Sequence, residues 1–205
     1  MRTLLLLLLT SAVSQAVYAQ HLDVQVVNRS NQPLANVAVI LRGLPDAHMA
    51  HHATMDQRDE TFVPEFLVVP KGSEVQFPNN DRVMHHVYSF SDAKSFDLPL
   101  YQHTVPNPVR MDQPGVVVVG CNIHDQMVGH ILVTESSYVA MTDADGRVRF
   151  TDLPARPTEV VVWQPGLGAV GDLSTPVRKD SVRVKVKKRT VAERGSGALS
   201  WSEDY

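Results

Sequence analysis

The residues with the clearest chemical potential lie in VGCNIHDQMVGHILV, residues 119–133. Cys121 is the only cysteine of the chain; His124 follows three positions later and Met127 three after that. A thiolate, an imidazole and a thioether are soft or borderline donors, and together they suit copper in both oxidation states. Two imidazoles and a thiolate in a trigonal set, with a weak axial thioether, are the ligands of a blue-copper electron-transfer site. Cys121, His124 and Met127 supply three of those four donors. A lone cysteine cannot close an internal disulfide, which leaves a buried or free thiol, an intermolecular link or a metal ligand. The Cys-x2-His-x2-Met spacing, followed by Gly129 and HILV, favours the metal ligand. The second histidine must come from elsewhere, and FPNNDRVMHHVYSF offers His85 and His86. Neighbouring strand residues point to opposite faces, so one of the two is expected to reach the metal.

The elements that must position these donors read as β-strands. Short Val-rich runs alternate with Pro, Gly, Asn and Asp, and few segments show helical periodicity, so the chain is expected to be all-β. Leu22, Val24 and Val26 alternate with polar residues, as do Val37, Val39 and Leu41. With the turn NRSNQP between them they predict a hairpin with one buried face. LPDAHMAHHATMDQRDE lacks periodicity and is expected to be a loop or linker. EFLVVPKGSEVQFPNND predicts two strands about Lys71-Gly72, and HHVYSF another. DLPLYQHTVPNPVRMDQPG, with four prolines, predicts a long irregular loop. VVVVG is a buried strand ending at Cys121, and HILV the strand after the ligand loop. Asp145-Gly146 predicts a hairpin turn, and SVRVKVKKR alternates Val182, Val184 and Val186 with basic residues.

The region around residues 62–134 resembles the cupredoxins, the plastocyanin and amicyanin family. VVPKGSEVQFPNND is similar to the family's strand–Lys-Gly–strand opening. In VMHHV the first histidine stands where the family's Pro-His-Asn-Val pattern has a ligand, and CNIHDQMVGHILV matches the ligand loop of amicyanin in spacing. The resemblance implies one copper ion held by His85, Cys121, His124 and Met127, with His86, Asn80 and Gly120 around them. HHVYSF, FDLPLY and GCNIHDQM together look most like periplasmic plastocyanin-like proteins named for methylamine utilisation. Two positions depart from the family: His86 replaces the usual Asn after the first ligand, and Asn122-Ile123 stand where a Pro often precedes the loop histidine.

The segments NRSNQPLANVAVIL and MTDADGRVRFTDLPARPTEVVVW resemble the two halves of a carboxypeptidase regulatory-like, transthyretin-type sandwich. The expected architecture is therefore a Greek-key cupredoxin β-sandwich over residues 46–136, inserted in or fused to a small β-sandwich made of residues 20–45 and 137–189. Residues 190–205 are polar and Gly/Ser-containing, and predict a flexible tail.

Residues 1–19 carry Arg2, a leucine run and the small-residue ending AVYA. They predict a cleaved secretory signal peptide and a periplasmic protein; the apolar run is short of the roughly 20 residues of a membrane span. The chain of 205 residues carries a formal net charge of -3, which favours no anionic partner. No nucleic acid, no stable membrane anchor and a monomer are expected. His48, Met49, His51 and His52 in HMAHHA form a candidate second, weaker metal site. No catalytic motif stands out, so the chain is read as a non-enzyme that carries single electrons between redox partner proteins. The resemblance implies an amine dehydrogenase as donor and a c-type cytochrome as acceptor. The alternatives are periplasmic copper handling, helped by HMAHHA, and an envelope-binding module with an incidental copper site.

Overall fold

The computed structural model describes residues 20–187 except 46, 48 and 104; the expected signal peptide and tail lie outside the described residues. All regular structure among them is strand. In chain order these are β1 (Gln20–Val27), β2 (Ala38–Arg42), β3 (His52–Thr54), β4 (Asp56–Arg58), β5 (Thr61–Val63), β6 (Phe66–Pro70), β7 (Glu74–Gln76), β8 (His85–Ser91) and β9 (Lys94–Tyr101). They continue with β10 (Val109–Arg110), β11 (Gly115–Gly120), β12 (Val128–Thr134), β13 (Val139–Met141), β14 (Arg147–Leu153), β15 (Glu159–Trp163), β16 (Ser174–Pro176) and β17 (Ser181–Lys185).

Four sheets stack as layers, and strand alternation decides which side chains fill each gap. The outermost sheet, β14-β1-β17, faces the sheet β13-β2-β15-β16. Between them Leu22, Val24 and Val26 meet Val39, Leu41, Val160, Val162 and Val184 in one aliphatic core. The intervening residues of β2 and β15, Ala38, Ile40, Val161 and Trp163, point the other way. They pack on Leu132 with Phe66, Val68 and Val116, from the back of the sheet β6-β12-β11-β8-β9. The Trp163 and Phe66 rings meet edge to face at 5.5 Å. On the far side of that sheet Val69, Val87, Val117, Val119, Ile131 and Val133 form a third core. It is closed by Val75 and Val109 of β10-β7-β3 and by Met55 and Phe62 beside the β4-β5 hairpin. The parallel neighbours β6 and β12 are joined by a crossover through the opposite sheet, so the site-bearing part is a Greek-key β-sandwich.

Four local expectations are corrected. The predicted hairpin of residues 22–41 does not form: β1 pairs with β14 and β17, and β2 with β13 and β15. The two strands face each other across a core instead, because β2 is buried on both faces. The turn at Asp145-Gly146 likewise joins strands of different sheets. Gly146 has φ +66, and a Cβ there would clash with the Val26 carbonyl oxygen. Finally, DLPLY is not loop but the end of β9, and β3 and β4 occupy the expected linker. β9 tolerates Pro99 because it is an edge strand with a register shift at that point, where a missing N–H costs no ladder bond.

Candidate metal centre

The register of three strands brings the donors together. In the β11-β12 hairpin Gly120 pairs with Val128, so residues 121–127 are its closing loop. The loop is tied by Cys121 N–H to the Met127 carbonyl (3.2 Å) and Met127 N–H to the His124 carbonyl (2.8 Å). Gly120 also pairs with Tyr88 of β8, which sets the first residue of β8, His85, beside Cys121.

Cys121 Sγ lies 3.8 Å from Nδ1 of both His85 and His124, and the two Nδ1 atoms are 3.1 Å apart. These are the only grouped metal-ligand side chains of His, Cys, Asp or Glu among the described residues. In their plane, a point about 2.0 Å from each nitrogen lies about 2.2 Å from the sulfur, close to ordinary metal–imidazole and metal–thiolate bond lengths. One ion fits, and a donor set of two imidazoles and a thiolate suits copper. His85 is 0 % exposed, whereas the His124 side chain retains 24 % exposure. Met127 is buried in the same core as Cys121.

The nitrogen of each ring that faces away from the cluster meets a carboxylate. His85 Nε2 is 2.9 Å from Asp81 Oδ2. An ionised carboxylate only accepts, so Nε2 carries the proton and Nδ1 presents its lone pair to the site. Asp81 also accepts the backbone N–H groups of Glu60 (2.7 Å) and Arg82 (2.6 Å). Burial opposes its ionisation, but these donors and His85 bring its pKa down to about 2. His124 Nε2 lies 4.0 Å from Glu60 Oε2, a looser and more exposed contact. Behind the site Tyr101 accepts from Gln57 Nε2 and donates to the Phe77 carbonyl, both at 2.6 Å. Burial pushes its pKa up to about 12, so it stays neutral.

His86 points to the opposite face of β8, where Nε2 meets Asp97 Oδ1 at 2.7 Å and the ring lies against Tyr88. Asn80 serves the hairpin rather than the ligands: its Nδ2 donates to both Asp56 oxygens at 3.0 Å. Gly120 makes room for Tyr88, whose ring would lie 3.1 Å from a Cβ there. In the second candidate cluster His48 lies outside the described residues. Met49 is exposed and His52 faces Glu74, and among the described residues neither His51 nor His52 belongs to a group of three His, Cys, Asp or Glu side chains able to hold a metal. Sequence reasoning missed Asp81 and Glu60. Asp81 stands four residues before His85 in PNND, but its second anchor, Glu60, is too remote in sequence to signal the contact.

No protein-family model matches the chain, and no curated protein matches it. Among solved structures it is similar to a novel purple cupredoxin from Nitrosopumilus maritimus, with 22 % identity over 40 % of this chain and 99 % of that one, at a TM-score of 0.36. A reduced amicyanin variant matches at 17 % identity over 47 % of this chain and 98 % of its own, TM-score 0.37. The Cu-containing nitrite reductase (NirK) from Thermus scotoductus SA-01 matches at 23 % identity over 54 % of this chain and 28 % of its own, TM-score 0.38.

Proposed function

We propose that the chain is a type 1 copper protein that carries single electrons between redox partners in the periplasm. The observation that carries this reading is the compact triangle of His85, Cys121 and His124 donor atoms, buried except for one imidazole edge. A bound copper ion supplies a one-electron Cu(I)/Cu(II) couple. His85 holds the inner side of the site, fixed by β8 and Asp81. Cys121 supplies the thiolate and, through the backbone of β11, a covalent link to the sheet. Met127, buried in the same core as Cys121, would add a weak thioether donor that tunes the potential. The surrounding sandwich keeps the donors in one arrangement, so little reorganisation accompanies a change of oxidation state.

His124 is the edge through which electrons pass, since it alone of the three is part-exposed. Beside the ligands in sequence, Ile123, Val83 and Met84 are exposed apolar side chains; they would give a partner a dry contact around that edge. In the same reading residues 46–136 form the copper domain, and residues 20–45 with 137–189 form a sandwich that braces its back. Residues 1–19 direct export. The family resemblance points to an amine dehydrogenase as donor and a c-type cytochrome as acceptor. Repeated voltammetric cycling of the copper-loaded protein tests the reading. A reversible one-electron wave without copper loss supports it; irreversible reduction with release of the metal contradicts it.

A further inference from the structure

We infer that Asp81 is a positioning residue for the copper site: its carboxylate fixes His85 and biases the couple toward Cu(II). The inference rests on the copper reading above. His85 is fully buried, and among the described residues the only hydrogen bond of its side chain away from the donor cluster goes to Asp81 Oδ2 at 2.9 Å. Asp81 is itself held from two more directions. Oδ2 also takes the Glu60 N–H and Oδ1 the Arg82 N–H, while the Asp81 N–H donates to Asn79 Oδ1 at 2.9 Å. Its side chain is 8 % exposed, and among the described residues its only ion-pair partner is His85. No Lys or Arg there quenches the charge.

A neutral acceptor would orient the ring as well, but it would not add charge. A carboxylate bonded to the outer nitrogen raises the basicity of the ligating one. It also places a negative charge one fully buried imidazole away from the metal, where the doubly charged ion gains more than the singly charged one. The carboxylate has a second effect through Glu60, which is in the turn of the β4-β5 hairpin at φ +56. The same turn carries the Glu60 carboxylate toward His124, so Asp81 ties the hairpin to both imidazoles.

The test compares copper-loaded wild type with Asp81→Asn and Asp81→Leu by visible absorption, voltammetry and copper affinity. Asp81→Asn keeps size and an acceptor but removes the charge. It should keep the thiolate-to-copper band and raise the Cu(I)/Cu(II) ratio at fixed ambient potential about tenfold, about 59 mV for one electron. Asp81→Leu loses acceptor and charge, and should bind copper about 10–100-fold more weakly. A band in both wild type and Asp81→Asn with an unchanged or lower potential in the variant overturns this inference alone. A wild type without the band overturns the copper reading and this inference with it. Should the variants not fold, proton NMR of the wild-type Cu(I) protein decides. A downfield His85 Nε2–H protected from exchange supports the inference, and one that exchanges freely with water overturns it.

Discussion

The two β-sandwiches of this chain are built from the same alternating valines yet differ in what they bury. The core between the two sheets at the chain's ends is aliphatic apart from Phe150 and the partly buried Tyr138, with Leu22, Val24, Val39, Leu41, Val160 and Val184 among its members. The core around the hairpin loop mixes valines with Met55, Met111, Met127 and Cys121, and beside it lie buried Asp56, Gln57, Asn79 and His85. Buried polar groups cost free energy unless they are paired, and here nearly all of them are paired with one another or with backbone. The end sandwich keeps its few buried polar residues, Asn28, Thr142 and Gln164, at strand ends and turns, whereas the other gathers soft donors around the His85, Cys121 and His124 cluster.

Substitutions sharpen the contrast. The largest effect is expected at the ligands. Cys121→Ser should abolish the thiolate-to-copper absorption while the metal-free protein unfolds at nearly the wild-type temperature, and His85→Ala should lose or strongly alter the same band. Calorimetry and absorption on each variant check this. In the aliphatic sandwich the pattern should reverse. Leu41→Ala removes a fully buried side chain, so denaturant unfolding should show a loss of about 2–5 kcal/mol with the band position unchanged.

Smaller effects should grade the site from its axis to its surroundings. Met127→Leu conserves volume and should keep copper bound, with a reduction potential raised on the order of 59 mV, a tenfold change in the one-electron equilibrium. A potential that stays the same or falls would remove Met127 from the axial position. Acid should loosen the site-bearing sandwich. Burial opposes ionisation of Asp56, but hydrogen bonds from Asn80, the Gln57 N–H and Arg58 hold its pKa below the usual value. A carboxylate depressed in the folded state stabilises it above its unfolded pKa of about 3.9, and that contribution is lost as pH falls through the folded value. Asp56→Asn should therefore flatten the acid limb of the stability curve. The smallest effect is expected from His86→Ala, a modest spectral shift, because His86 faces Asp97 on the other side of β8.

The contrast also explains which features the sequence displayed. The Cys121, His124 and Met127 spacing was legible because a hairpin loop is local, and every donor on it is set by a few neighbouring positions. The alternation of Val182, Val184 and Val186 was legible for the same reason, and those residues are buried as the pattern required. Pairing partners were not. Alternation in residues 22–41 says that a face is buried, but not whether its partner lies beside it in one sheet or opposite it across a core. Pro99 suggested a loop, because an edge strand and an interior strand are indistinguishable until the sheet is assembled. Asp81 was hidden for a related reason: its role arises from the approach of the Glu60 turn, a contact made only by the folded β4-β5 hairpin.

Titrating the metal-free protein with Cu(II) while recording visible absorption tests whether one metal ion sits among His85, Cys121 and His124. In the wild type an intense thiolate-to-copper band should rise linearly and saturate at one equivalent, and Cys121→Ser should show none. A wild-type titration without that band, or the same band in Cys121→Ser, would contradict that placement of the metal.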